Sequence, residues 1–251
     1  MKPYYEDDLV TLYHGDCLEV MASLVSVDHV ITDPPYSEHV HGSARRRKIT
    51  YRDRGARYGA DTRRKVDLGF RHLTPGLRAA CASEFARLAS RWVLAFSDTE
   101  SSHLWREDLE EAGLDYVRTG AWIKVGSTPQ FSGDRPAAGF EAITICHPKG
   151  RKHWNGGGKH AVWSVPIVLD RGGKGERLHT TQKPMQLMSA LVDLFTDPAE
   201  TVLDPFSGSG TTLVAAKSLG RKAIGVELEE RYAEIAARRL AQGVLDFGGA
   251  E

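Results

Sequence analysis

Thr201-Val202-Leu203-Asp204, then Pro205-Phe206-Ser207-Gly208-Ser209-Gly210, then Thr211-Thr212-Leu213-Val214-Ala215-Ala216-Lys217 reads as a strand, a tight loop and a helix in quick succession. The β-branched and apolar run before Asp204 suits a buried strand. Gly208 and Gly210 let the backbone turn sharply and approach a ligand with no Cβ in the way. The free N–H groups that open the helix favour a negative group. A further strand over 222–227 ends in an acid, Glu227, 23 positions after Asp204. An acid there suits hydrogen bonds to both hydroxyls of a ribose, the logic of dinucleotide folds. A phosphate-binding loop would need Gly-Lys-Ser/Thr, and this loop offers Gly210-Thr211-Thr212 without a lysine. The series therefore predicts an α/β fold holding a nucleoside without phosphates.

Far upstream, residues 28–32 read as a strand that delivers Asp33-Pro34-Pro35-Tyr36 at its carboxyl end. Ligand groups gather at the carboxyl ends of strands in open α/β sheets. Exocyclic amines of adenine and cytosine are poor nucleophiles, because the nitrogen lone pair is delocalised into the ring. Acceptors for the two amino hydrogens push that nitrogen toward sp³ geometry. Asp33 offers a carboxylate and Pro34 a backbone carbonyl, and the proline pair fixes φ so that these acceptors are pre-oriented. Tyr36 supplies a ring for an extruded base to stack on. Taken alone, the four residues are equally a plain turn after a strand. The glycine-loop series downstream decides for chemistry.

Working outward, a strand is expected over 10–13 and a helix over 17–24 with Asp16 as its N-cap. A helix near 77–89, a strand at 92–96, a helix at 101–112 and strands at 116–124 and 141–147 follow. A helix over 184–195 precedes the glycine loop, and a terminal helix covers 229–240. Residues 126–139 and 148–174 read as irregular, with Gly156-Gly157-Gly158 among the turn signals.

The chain of 251 residues fits one α/β domain, 1–251, carrying a basic insertion over 37–70 and an irregular region over 126–177. Formal net charge is +0, so any nucleic-acid face must come from local segregation of charge. Such segregation exists in Arg45, Arg46, Arg47 and Lys48, and again in Arg135, Arg151 and Lys152, with Trp154 interleaved. Cys17, Cys81 and Cys146 are widely spaced, which argues against a disulfide framework and structural zinc. No metal site is expected, since His147, His153 and His160 lack ligand spacing. No apolar run is long enough to span a membrane, and the amino terminus lacks the apolar core of a signal peptide. The expectation is a reduced, soluble, cytoplasmic protein.

Three stretches, Gly15-Asp16-Cys17-Leu18, Thr32-Asp33-Pro34-Pro35-Tyr36 and His179-Thr180-Thr181-Gln182-Lys183-Pro184 ahead of Asp204–Thr212, resemble the beta-subgroup S-adenosylmethionine-dependent DNA amino-methyltransferases. The resemblance covers residues 10–36 and 179–240. It implies a Rossmann-like sheet with helices on both faces and a circularly permuted motif order, the catalytic half preceding the cofactor half. It implies a site-specific DNA methyltransferase acting on adenine N6, with cytosine N4 as the alternative; members with that activity more often begin the motif with serine.

By the same resemblance Asp33, Pro34, Pro35 and Tyr36 are catalytic. Asp16 and Cys17 contact the cofactor adenine, and Asp33 also faces the cofactor. Asp204, Pro205, Phe206, Gly208, Gly210, Thr211 and Thr212 line its loop, and Glu227 holds the ribose. Thr181, Lys183 and Pro184 close over its amino-acid end, with Thr180 standing where the family usually has proline. Target recognition falls in 126–177. The partner is double-stranded DNA, flipped at the target base; a homodimer and a restriction enzyme are left open. Methyltransferases of RNA or protein usually carry an Asn-Pro-Pro-Tyr motif after the glycine loop, and the order here is the reverse.

Overall fold

The two strands expected to carry the catalytic turn and the glycine loop lie side by side. The computed structural model describes residues 1–36, 73–127, 134, 136–168 and 182–242. Its elements run β1 (Tyr5–Glu6), β2 (Val10–His14), α1 (Cys17–Ser23), β3 (His29–Thr32), α2 (Pro75–Leu88), β4 (Val93–Ser97), α3 (Ser102–Glu111), β5 (Asp115–Val125), β6 (Phe140–His147), β7 (Val162–Pro166), α4 (Met185–Phe195), β8 (Thr201–Asp204), α5 (Thr211–Ser218), β9 (Lys222–Glu227) and α6 (Glu230–Ala241). All nine strands form one sheet in the order β1-β2-β9-β8-β3-β4-β6-β5-β7.

Strands β2, β9, β8, β3 and β4 are mutually parallel, and β6 then turns antiparallel to β4 and β5. From β3 the chain moves to β4 on one side; from β8 it moves to β9 on the other. The direction of winding therefore reverses between β3 and β8, and open α/β sheets bind ligands in the crevice at such a point. Asp33 and Asp204 stand at the carboxyl ends of those two strands.

The sheet is covered on both faces, so its parallel strands are apolar almost throughout. Val30, Val93, Ala95 and Leu203 pack with Met21 of α1, Phe85 and Leu88 of α2 and Trp105 of α3. Their neighbours Ile31, Leu94, Phe96 and Val202 face the other way, onto Leu187 and Leu191 of α4, Leu213 of α5 and Ala233 of α6. This alternation is the period of two that pleating imposes. Register is pinned at the amino ends of β3, β4 and β8, where Glu200 takes the His29 Nε2 at 2.7 Å and also the Arg91 guanidinium.

The structure departs from the sequence reading in two strands. β1 was not expected, being a two-residue pairing of Tyr5 with Leu12 and Glu6 with Thr11. β7 lies inside the stretch read as irregular and pairs in parallel with β5, Trp122 opposite Trp163. Gly120 of β5 makes room for it: a Cβ there would stand 2.8 Å from the Trp163 ring. The insertion over 37–70 lies outside the described residues.

Candidate active site

The cofactor side is built on three strand ends. Glu227 closes β9, and its Oε2 and Oε1 accept the backbone N–H groups of Gly208 and Glu229, each at 2.8 Å. Each oxygen keeps a second lone pair, as a ribose-binding acid requires. Burial holds Glu227 above its ordinary value, with the backbone amides working against it. Gly15, after β2, donates its N–H to the Glu227 carbonyl at 3.0 Å, which brings Asp16 and Cys17 beside the same acid. Asp16 caps α1, its Oδ1 accepting from Leu18 N at 2.8 Å. Cys17 is buried next to Cys81, a packing position.

The glycine loop is tied down from both sides. Ser207 gives its N–H and hydroxyl to the Val226 carbonyl at 2.9 and 3.1 Å. Gly210 caps α5 at φ +77, and a Cβ on it would come within 2.8 Å of Ala236, so only glycine lets α5 sit this close to α6. Arg239 of α6 reaches back to the Ser209 carbonyl at 2.5 Å and to the Ser209 and Thr211 hydroxyls at 3.2 Å. At the head of the loop Asp204 accepts from Thr32 Oγ1 at 2.7 Å and Phe206 N at 3.2 Å. Burial nevertheless pushes Asp204 up to about 6, against the bonds from Thr212 and Thr32.

The catalytic side is one strand away. Lys183, buried just ahead of α4, sets its Nζ 2.5 Å from Asp33 Oδ2, 3.1 Å from Glu141 Oε2 and 3.3 Å from the Tyr36 hydroxyl. Lys124 of β5 holds the other oxygen of Glu141 at 2.5 Å. The 3.1 Å approach of Lys183 to Glu141 Oε2 is an ion pair without hydrogen-bond geometry. Asp33 Oδ1 is closed to solvent and has no hydrogen-bond partner among the described residues. Burial and the nearby Glu141 charge raise Asp33, while the Lys183 ammonium pulls it down. Burial lowers Lys183, but Asp33 and Glu141 outweigh it and keep the side chain an ammonium. Burial, with the charge of Asp33, pushes the Tyr36 phenol up, so it stays protonated. A shallow crevice beside it is lined by Pro35, Tyr36, Ser97 and Trp105.

Asp16, Cys17, Asp33, Pro34, Pro35, Tyr36, Lys183, Pro184, Asp204, Pro205, Phe206, Gly208, Gly210, Thr211, Thr212 and Glu227 thus fall along one edge of the sheet. Lys183, expected over the cofactor's amino-acid end, here contacts the Asp33 carboxylate. Thr181, Arg135 and the run Arg45, Arg46, Arg47 and Lys48 lie outside the described residues. Arg151, Lys152 and Trp154 are not brought to this edge. They follow β6, whose Cys146 is opposite Val93 at the amino end of β4. Trp92 Nε1 donates to the His153 carbonyl there, and Trp154 packs edge-on against Phe195 with ring centroids 4.8 Å apart. The five residues of β4 put this corner about 17 Å from the catalytic turn. The described residues hold no cluster that could bind a metal.

Two carboxylates thus stand at a topological switch point, one on a glycine loop and one on a Pro-Pro turn, and the N6/N4 DNA methylase family matches residues 27–238 around them. The chain is a member of it. This methylase is 31% identical to the putative methylase YubD of Escherichia coli (strain K12) over 234 residues, 90% of this chain and 88% of that protein. It is 28% identical to the Type II methyltransferase M.HinfI of Haemophilus influenzae over 262 residues, 96% of this chain and 71% of that one. Its fold is similar to that in the M1.HpyAVI–SAM complex, with TM-score 0.68 at 24% identity, covering 92% of this chain and 99% of that one.

Sequence reasoning missed four residues of this site: Thr32, Lys124, Glu141 and Arg239. Glu141 left one signal, an acid near the start of the apolar strand Ala142–Cys146. Lys124 and Arg239 left none, because only sheet pairing and the crossing of α6 bring them in.

Proposed function

We propose that this methylase moves a methyl group from S-adenosylmethionine to the N6 amine of an adenine flipped out of double-stranded DNA at a specific site. The observation that carries the reading is Asp33 Oδ1, closed to solvent and without a partner among the described residues, one strand from the glycine loop and two from Glu227. A closed-off acceptor needs a donor, and an exocyclic amine is one. The cofactor brings a methyl already activated on a sulfonium, so in-line transfer needs no covalent enzyme intermediate. Asp33 Oδ1 and the Pro34 carbonyl accept the two amino hydrogens, and Asp33 Oδ1 takes the proton that the methylated nitrogen sheds. Glu227 and the first turn of α5 hold the ribose and the cofactor's carboxylate.

Adenine is favoured because the motif opens with Asp33, where resemblance associates serine with cytosine N4. Double-stranded DNA from cells expressing the chain, digested to nucleosides and separated by mass, is expected to contain N6-methyladenine, and sequencing of modified bases in the intact DNA is expected to place it at one sequence context. N4-methylcytosine instead would transfer the same mechanism to cytosine. Absence of both modified bases would overturn the proposal.

A further inference from the structure

Four buried or half-buried charges alternate across the catalytic end of the sheet: Asp33, Lys183, Glu141 and Lys124. Their sum is zero, which is the condition for keeping such a cluster away from water. Its geometry is asymmetric. Lys183 stands between two carboxylates, and Glu141 is itself shared with a second ammonium, since its Oε1 lies 2.5 Å from Lys124 Nζ. Among the described residues Asp33 is thereby bound at Oδ2 only.

We propose that Glu141 is a positioning residue for methyl transfer: by sharing the Lys183 ammonium with Asp33, it leaves the Asp33 carboxylate anchored by one oxygen and strong as an acceptor at the other. The proposal rests on Asp33 being the amine acceptor. Without the lysine, two close carboxylates in a dry site could not both stay ionised. Without Glu141, the whole ammonium charge would fall on Asp33, and a fully paired carboxylate is a weaker acceptor. Lys124 limits how strongly Glu141 competes for Lys183, and holds Glu141 at about 2 together with Lys183 against its burial. The aromatic rings of Phe96, Tyr36 and Trp122, at 5.0, 5.4 and 5.9 Å from Nζ, keep the ammonium in place.

The groups that act on Asp33 are Lys183, Glu141 and Lys124, with Asp204 from β8 and Tyr36 from its own turn; Asp98, after β4, acts on Tyr36. Asp204 titrates in every variant, so the informative quantity is displacement of the acid limb from that of the parent. Removing the Glu141 charge favours the ionised form of Asp33 and moves the limb to lower pH. Removing the Lys124 charge moves it to higher pH.

The test is methyl transfer to duplex DNA by the full chain, as kcat and cofactor KM across pH. Glu141→Gln is expected to lower kcat roughly tenfold or more, as misplacement of a reacting group does, with the acid limb shifted down and cofactor KM little changed. Glu141→Asp should restore the parent limb, and Lys124→Gln should shift it up. An unmoved limb in both variants, or a shift of one sign in both, would mean that the cluster only ties the segment before α4 to the sheet, and would overturn the proposal. If Glu141→Gln does not fold, the direction of the Lys124→Gln shift alone decides. Asp33→Ala separates the two readings. Normal turnover in it overturns the role of Asp33 itself; an inactive Asp33→Ala beside an unmoved Glu141→Gln overturns only the role of Glu141.

Discussion

Asp204 is 2% exposed and still accepts hydrogen bonds from Thr32 and Phe206, yet burial lifts it to about 6. A carboxylate raised in the folded state favours folding below its unfolded value near 4 and loses that contribution as pH rises through 6. At neutral pH the ionised group therefore costs roughly 3 kcal/mol. A side chain held at that cost is serving the loop it heads rather than stability. Thr32→Val removes a bond to a charged group, worth about 1.5–3 kcal/mol, so the Asp204 midpoint should rise by about one pH unit or more. Carboxyl-carbon NMR titration reads this directly, and an unshifted midpoint would show that Thr32 does not stabilise the anion. At this scale Asp33, Asp204 and Glu227 were legible because each sits in a short contiguous motif at a strand end. Glu141 and Arg239 were not, since their meaning depends on partners distant in sequence: Lys183 for the one, Ser209 for the other.

The elements show the same division. Helices and the five parallel strands at the sheet's centre were readable from apolar period and flanking turns, because both faces of the sheet are covered. β7 was lost because its five residues alternate exposed and buried beside a glycine run and end in Pro166. A proline is tolerated there because β7 is the sheet's last strand. The stretch around it also holds Arg151, Lys152 and Trp154, expected at DNA, which stand away from the edge that carries Asp33. Arg151 and Lys152 are exposed, and Lys152 pairs with Asp115 at 3.2 Å, an exposed contact worth about 0–1 kcal/mol. Joint replacement of Arg151 and Lys152 by alanine is expected to leave the set of methylated sites unchanged and stability within about 1 kcal/mol of the parent. Sequencing of modified DNA checks it; an altered set of sites would return this corner to target recognition. The carboxyl ends of β5 and β7, by contrast, lie on the same edge as the carboxyl end of β4.

Across the whole molecule, the site exists only where early and late chain meet. Val10 pairs with Ala223 and His29 with Val202, so the two halves of the sheet's centre are mutual partners. A chain ended at residue 196 lacks β8, α5, β9 and α6 and leaves β2 and β3 with open, apolar edges. It is expected to show no cooperative unfolding in a urea titration followed by circular dichroism, whereas a sigmoidal transition would mean that the first half folds alone. The pairing of β3 with β8 has a further consequence during synthesis. At about 5–20 residues per second, the strand His29–Thr32 leaves the ribosome about 10–35 s before its partner Thr201–Asp204 does. Throughout that interval a strand buried on every residue in the finished protein waits without its neighbour. The nascent chain thus carries an inner strand without its neighbour through most of its synthesis, and a ribosome that stalls before β8 releases a product that keeps Asp33 and Lys183 but has neither the glycine loop nor Glu227.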